Sequence, residues 1–186
     1  MKVYRVKLES VSPYSQSKHY TLDKLDREQP DAYEKRTWRE RMHVDEKGEV
    51  FIPPMAIKNC LADAAKFMSV KIPGKGNATY TKHFEAGTLI HDPIPLGIKK
   101  ADVEPEWLFV PSDGKRGGSK RVSKCFPKIS EWQGEVVIYV LDEIITEAVL
   151  RDHLVAAGSF IGIGRFRPRN NGFYGRFKVA SVVCES

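Results

Sequence analysis

Cysteine is scarce in this sequence of 186 residues. The three cysteines, Cys60, Cys125 and Cys184, lie far apart, and no Cys-x-x-Cys pair occurs. This spacing argues against a disulfide framework and against a zinc site. We therefore expect neither a metal nor another cofactor, and the few thiols predict a protein of the reducing cytoplasm.

Long apolar segments are also missing. No window approaches the roughly eighteen consecutive apolar residues that a membrane-spanning helix requires. Residues 1–7 alternate between charged and apolar types, which is unlike a secretory signal peptide. No membrane partner is expected. With 41% hydrophobic residues, the chain is predicted to form one globular domain over residues 1–186.

Positive charge is in excess, with a formal net charge of +6, and it is clustered. Residues 162–175, called the glycine loop below, hold four glycines, three arginines and no acid. Glycine lets backbone amides approach an anion, arginine binds phosphate through two parallel hydrogen bonds, and aromatic rings stack on bases. The pattern favours a nucleic-acid-binding loop over the alternative, a tight turn on a basic surface. The candidate binding residues, including one just after the loop, are Gly162, Gly164, Arg165, Phe166, Arg167, Arg169, Gly172, Tyr174 and Arg176.

A second basic cluster lies in residues 111–128, where six cations face a single acid, Asp113. It follows an apolar segment, residues 107–110, that is predicted to be a strand. One interpretation is an arm that folds onto a nucleic-acid backbone, and the other is a disordered, solubilising loop. We favour the arm because two basic clusters occur together and Phe126 lies within this one. Its candidate binding residues are Lys115, Arg116, Lys120, Arg121 and Lys124.

The hydrophobic pattern predicts an α+β fold. Strands are expected near residues 3–11, 87–91, 134–141 and 173–183, helices near 54–68 and 146–157, and a loop over 72–85. The helix over 146–157 is expected to be capped by Thr146 and closed by Gly158. The strand-helix-strand-strand-helix-strand order is that of a ferredoxin-like (RRM-like) βαββαβ antiparallel sheet. Two large insertions, approximately 12–50 and 99–131, would project from it.

Two motifs, in this order, resemble those of one superfamily. Residues 52–61 resemble the Ile-Pro-Gly-Ser-Ser-Leu-Lys-Gly-x-Leu helix start of RAMP proteins, the CRISPR-associated RNA-binding superfamily, with Ile52, Pro53, Ile57, Lys58 and Leu61 matching. The glycine loop resembles that superfamily's C-terminal glycine-rich loop. The resemblance implies a RAMP-like domain with a ferredoxin-like fold, a basic thumb-like arm, and RNA binding that involves Lys58 and the glycines.

Within that superfamily the resemblance is greatest to the backbone (Cas-seven-type) subunits of effector complexes, which polymerise along guide RNA. It implies single-stranded RNA or DNA as a partner, and a homo-oligomer or a subunit of a ribonucleoprotein complex. A phage-borne subunit mimic that inhibits the CRISPR system is an alternative.

A further alternative is an endoribonuclease. Some backbone subunits of the superfamily cleave RNA with an Asp that precedes the Ile-Pro motif, and Asp45 lies eight residues before Pro53. Asp45 could then support metal-assisted cleavage, or His43 could act as a general base. Against both, residues 43–52 read as a hairpin, and Asp is a common turn residue. The catalytic residues therefore stay open.

Overall fold

The computed structural model describes residues 1–112, 114, 117 and 120–185, which form an α+β structure with antiparallel sheets. The main sheet has four strands in the spatial order β3-β7-β1-β8. These strands are β1 (Lys2–Ser10), β3 (Thr88–Leu89), β7 (Gln133–Val140) and β8 (Phe177–Glu185). Two further ladders join β2 (Glu49–Ile52) to β4 (Ile94–Lys99) and β5 (Glu104–Pro111) to β6 (Arg121–Lys128).

The central strand β1 shows why the main sheet has one buried face. Tyr4, Val6 and Leu8 are buried, whereas Arg5 and Lys7 between them are exposed. Successive side chains of a strand point to opposite faces, so this alternation puts all three apolar residues on the core side. Strand β1 pairs antiparallel with β7 on one side and with β8 on the other.

Helices cover the core side of the sheet. Helix α2 (Pro54–Met68) has the predicted bounds and packs against α4 (Glu147–Ala156), which in turn packs on β8. The helical stripe Ile57, Leu61 and Ala64 is buried, as its spacing predicts. Two shorter helices are α1 (Pro30–Thr37) and α3 (Thr81–Gly87). Among the described residues, no helix is long and apolar enough to cross a membrane.

Helix α4 begins as predicted but does not end as predicted. The Thr146 hydroxyl accepts a hydrogen bond from the Val149 amide at 3.3 Å. Gly158 does not end the helix. The helical backbone continues through a π-helical turn, Ala157–Ile161, and ends at Gly162. A Cβ atom at Gly158 would overlap the carbonyl oxygen of Phe177, so this glycine allows the helix to lie close to β8.

The segment over 72–85, predicted as a loop, contains most of α3. Phe84 is fully buried, and its ring stacks on that of His153 with centroids 4.3 Å apart. The strand expected over 87–91 is reduced to the two residues of β3. Tertiary packing of one aromatic residue therefore overrides the loop-like composition of this segment.

Both predicted insertions contain regular structure. The first holds α1, a 3-10 turn at Trp38–Arg41, and β2. The second holds β5 and β6, which form an antiparallel hairpin called the hairpin arm below. The strand predicted over residues 107–110 lies within β5. Lys115 and Arg116 lie outside the described residues.

Candidate nucleic-acid interface

Backbone hydrogen bonds fix the glycine loop to the start of the first insertion. The Arg165 amide donates to the Ser15 carbonyl at 2.8 Å, and the Gly175 amide donates to the Pro13 carbonyl at 2.7 Å. Within the loop, the Ile163 amide donates to the Gly175 carbonyl at 3.0 Å. The loop is therefore a closed, anchored structure.

The glycines of the loop serve close packing. Gly162 and Gly164 have φ values of 71° and 73°, which L side chains rarely adopt. A Cβ atom at Gly164 would overlap the Ser15 carbonyl, and one at Gly172 would overlap the Phe166 carbonyl. The predicted role of Gly162, Gly164 and Gly172 in contacting a ligand is untested, but the structure gives each a conformational or steric reason to be glycine.

Arg165 lies inside the protein rather than on the outer surface of the loop. Its guanidinium pairs with Glu106 of β5 at 2.9 Å, and these two side chains are only 16% and 17% exposed. The guanidinium also lies 4.0 Å from the centroid of the Phe126 ring, on β6. The charge of Arg165 is therefore balanced by Glu106 within the chain, and its contact with phosphate stays a prediction.

Tyr174 shares the same acceptor. Its hydroxyl donates a short hydrogen bond to Glu106, and its ring is buried. Burial, and after it this hydrogen bond, raises the pKa of Tyr174 to about 12. Tyr174 is therefore no free stacking surface, and together with Arg165 it joins the glycine loop to the hairpin arm. Glu106 was missed in the sequence because a single glutamate in a strand carries no spacing signal.

The other arginines differ in how fully they are paired. Arg169 pairs with Asp63 of α2 at 3.1 Å while its side chain stays 42% exposed. The Arg176 Nε atom donates to the Ser159 carbonyl at 3.2 Å. Arg167 has neither an ion pair nor a side-chain hydrogen bond within the described part of the chain, and its Nε atom is buried without an acceptor. Arg167 is thus the loop arginine whose charge is least satisfied by the protein.

The glycine loop lies against the helix that begins with the Ile-Pro motif, because Arg169 of the loop pairs with Asp63 of α2 at 3.1 Å. Burial raises the pKa of the Cys60 thiol, also in α2, to about 12, and the positive charge of Arg167 is the largest influence opposing that rise. The two sequence motifs therefore meet in space.

Two phenylalanines of the glycine loop expose their rings. Phe166 is 44% exposed and Phe173 is 52% exposed, and their centroids are 5.3 Å apart in an edge-to-face arrangement. Phe166 also has a φ of 60°, an unusual value for a residue with a side chain. The loop thus holds aromatic surface in water, and Arg167 directly follows Phe166 in the chain.

Lys58 has a different role from the one that the RAMP resemblance implies. Its ammonium group donates to the carbonyls of Phe84 and Glu85 at 2.6 and 2.9 Å, and to the Thr88 hydroxyl at 2.8 Å. An ammonium group has three donors, so none remains for a phosphate. Lys58 caps the carboxyl end of α3 in this structure, and its contact with RNA stays a prediction.

The basic residues of the hairpin arm differ in their exposure and in their bonding partners. Lys124 pairs with the buried carboxylate of Glu34 at 2.5 Å and so attaches the arm to α1, while its contact with nucleic acid stays a prediction. Arg121 donates from Nη1 to the Phe109 carbonyl at 3.2 Å and remains exposed, as does Lys120. Phe109 itself is 65% exposed. The described part of the arm thus offers exposed aromatic and basic groups.

The two candidate catalytic residues, Asp45 and His43, both lie in the hairpin that precedes α2. One carboxylate oxygen of Asp45 accepts from the amides of Lys47 and Glu49, at 2.9 and 2.8 Å, which makes Asp45 the turn residue of its hairpin. His43 packs against the Phe51 ring, and burial lowers its pKa. Over the described ranges, no group of three or more His, Cys, Asp or Glu residues could hold a metal ion.

Comparison with known proteins gives a result at the level of the fold. No protein family and no curated protein matches the sequence. A chain in a cryo-EM structure of the Type III-B Cmr-beta bound to cognate target RNA is similar, with a TM-score of 0.58 and 12% identity, over 98% of this chain and 60% of that one. Cmr6 from Pyrococcus furiosus, known from a crystal structure, is similar with a TM-score of 0.52 and 11% identity, over 95% of this chain and 97% of that one.

The chain spans about three fifths of the length of the Cmr-beta chain that it matches. The similarity nevertheless extends over nearly all of the present chain in both comparisons. The resemblance to RAMP proteins, drawn from the two sequence motifs, is therefore confirmed at the level of the fold.

Proposed function

We propose that this protein binds single-stranded RNA through the outer surface of the glycine loop, as a subunit of a CRISPR-type ribonucleoprotein complex. The observation that carries the proposal is the exposed pair Phe166 and Phe173, in the loop that also holds Arg167, whose Nε atom has no acceptor among the described residues. Aromatic rings that stack on bases, next to cations that follow the backbone, are the common means of binding single strands.

The topology supports a ferredoxin-like, RAMP-like domain for the whole chain, residues 1–186. The order β3-β7-β1-β8 places the second, third, first and fourth strands of a βαββαβ unit side by side. The insertions at 12–50 and 99–131 then extend from one domain. The hairpin arm, joined to the glycine loop through Glu106, takes the place of a thumb-like arm beside the bound strand.

The preference for RNA and for an assembly rests on similarity of fold. The Cmr-beta structure is described as bound to cognate target RNA, which is a property of that complex. For the present chain we propose RNA before DNA, and repeated copies along the strand in the cytoplasm. Exposed Trp107 and Phe109 on the hairpin arm would contact the next copy.

A titration of labelled single-stranded RNA, followed by fluorescence anisotropy at several salt concentrations, tests the proposal. The logarithm of the association constant should fall with the logarithm of salt concentration by about 0.7 per phosphate contact. Arg167→Ala should weaken binding and reduce the slope by about 0.7. Arg151→Ala is the matched control, because Arg151 is exposed on α4 and its removal changes the net charge equally.

The results that count against the proposal are specific. A parent protein without affinity for RNA at low salt would contradict the binding function. Equal effects of Arg167→Ala and Arg151→Ala would show that general charge, rather than the glycine loop, attracts the strand.

A further inference from the structure

A second pair of exposed aromatic rings lies outside the two sequence motifs. Phe67, at the end of α2, is 61% exposed, and Phe160, in the π-helical turn, is 55% exposed. Their ring centroids are 5.3 Å apart with an interplanar angle of 30°. Single exposed apolar residues are normal on a protein surface, but two adjacent exposed rings keep a large apolar surface in water.

This pair is continuous with the glycine loop. Asp63 lies one helical turn before Phe67 on α2 and pairs with Arg169 of the loop at 3.1 Å. On the other side, Arg176 bonds the carbonyl of Ser159, the residue before Phe160, at 3.2 Å. The π-helical turn also leads directly into Gly162, where the loop begins. The two aromatic pairs are therefore linked through the contacts of Arg169 and Arg176, which lie between them along the structure.

We propose that Phe67 and Phe160 form a second stacking site, so that the surface takes a strand of unpaired bases and discriminates against duplexes. This inference rests on the proposed function and extends it to bases beyond those at the glycine loop. Every base has a flat face on which an aromatic ring can stack, but in a duplex those faces are covered by neighbouring bases. The arginines between the pairs favour an anionic strand over an apolar protein partner.

Anisotropy titrations with three RNA ligands of equal length test this inference: a single strand, the same strand made abasic, and the corresponding duplex. The variant Phe67→Leu with Phe160→Leu keeps apolar side chains but removes the flat rings. The parent should bind the normal strand more tightly than the abasic strand or the duplex. The affinity of the variant for the normal strand should be about tenfold lower for each base–ring stack that is removed. Its affinity for the abasic strand should equal that of the parent.

Tyr139→Leu provides the matched control. Tyr139 stacks on His91 with centroids 4.9 Å apart, and it lies in β7 between the buried residues Ile138 and Val140, on the face of the sheet away from the helices. Its loss should leave binding unchanged. Because Phe67 and Phe160 are more than half exposed, the double variant should unfold at the same urea concentration as the parent.

The outcomes separate this inference from the proposed function. No binding of any strand by the parent contradicts the proposed function. Binding by the parent that the double variant fully retains overturns the inference alone. Equal losses of affinity for normal and abasic strands also overturn it, since they show that the effect of the two rings does not depend on the bases. Equal affinity of the parent for duplex and single strand overturns it as well.

Discussion

At the scale of single residues, neighbouring arginines of one loop have opposite roles. Arg165 is mostly buried and paired with Glu106, whereas Arg167 has no ion pair in the described part of the chain. Composition alone does not distinguish these two arginines, because both lie in the same glycine-rich segment. The structure distinguishes them: Arg165 attaches the hairpin arm, whereas the charge of Arg167 is left to interact with a ligand.

Arg165→Ala should destabilise the fold, while Arg167→Ala should not. Removing one partner of a buried ion pair leaves the other charge uncompensated, and with the partial exposure of this pair we expect a loss of about 2 kcal/mol. Arg167→Ala should change the free energy of unfolding by less than about 0.5 kcal/mol. Urea unfolding of both variants checks this. Equal stabilities would contradict the assignment of Arg165 as a structural residue.

Gly172→Ala should destabilise the protein more than Gly48→Ala. At Gly172 a Cβ atom would overlap the Phe166 carbonyl, so the loop backbone has to move. At Gly48 a Cβ atom meets nothing within 4 Å, and only its φ of 75° opposes substitution, at about 1 kcal/mol. Thermal unfolding of both variants measures the difference. A smaller effect at Gly172 would mean that the loop adapts freely.

At the scale of elements, the hairpin arm is held by two carboxylates. Glu106 joins it to the glycine loop, and Glu34 of α1 joins it to the first insertion. Glu34 is 3% exposed at its side chain and contacts both Lys124 and Arg41. A charge of this kind is stable only while its partners are present. The attachment of the hairpin arm should therefore weaken when acid protonates these carboxylates.

The stability of the protein should fall in acid partly because of Glu34. Burial by itself would raise the pKa of Glu34, but hydrogen bonds from Lys124 and Arg41 outweigh it and lower that pKa below the ordinary value of 4.5. The unfolded chain therefore binds the proton first as pH falls below about 4.5, so the stabilisation is lost as pH drops through the lowered pKa. Above pH 5 the contribution is complete.

Urea unfolding of the parent and of Glu34→Gln between about pH 3 and pH 7 isolates this contribution. The glutamine variant should be less stable at neutral pH, and its difference from the parent should shrink in acid. A difference that stays constant with pH would show that Glu34 does not titrate as its contacts imply.

The regular elements follow largely from local patterns in the sequence. Helix α2 has a clear apolar stripe and a proline start, and its bounds were predicted correctly. Helix α3 was missed because its packing depends on a stack between Phe84 and His153, which are distant in the chain. His153 is itself buried, and its Nδ1 atom lies 2.7 Å from the Val149 carbonyl.

Only part of the candidate site could be predicted from the sequence. The glycine loop and its aromatic rings were visible as a composition, but their exposure and pairing were not. Lys58 and Arg165 were expected to face a ligand, and both instead bond groups that are far away in the sequence. Phe67 and Phe160 come from separate elements, so no motif could join them.

At the scale of the whole molecule, the exposed rings of Trp107 and Phe109 on the hairpin arm are the contacts through which we propose that copies assemble. Copies that join head to tail form an open array, since the same contact repeats without closing. The mass of complexes formed on RNA strands of increasing length should therefore rise in regular steps, measured by sedimentation or mass photometry. Trp107→Ala with Phe109→Ala should still bind RNA but abolish the stepwise growth. One copy per strand at all lengths would contradict assembly.

The position of β1 has a consequence for how the chain folds. This strand lies between β7 and β8, with Lys2 opposite Val140 and Val3 opposite Glu185. During synthesis, β1 emerges from the ribosome long before either neighbour exists. Contacts of such sequence separation slow folding, and the apolar side of β1 needs shielding until the last strand arrives. A chain that stops before β8 would leave an open sheet edge at β1, so premature termination should yield aggregates.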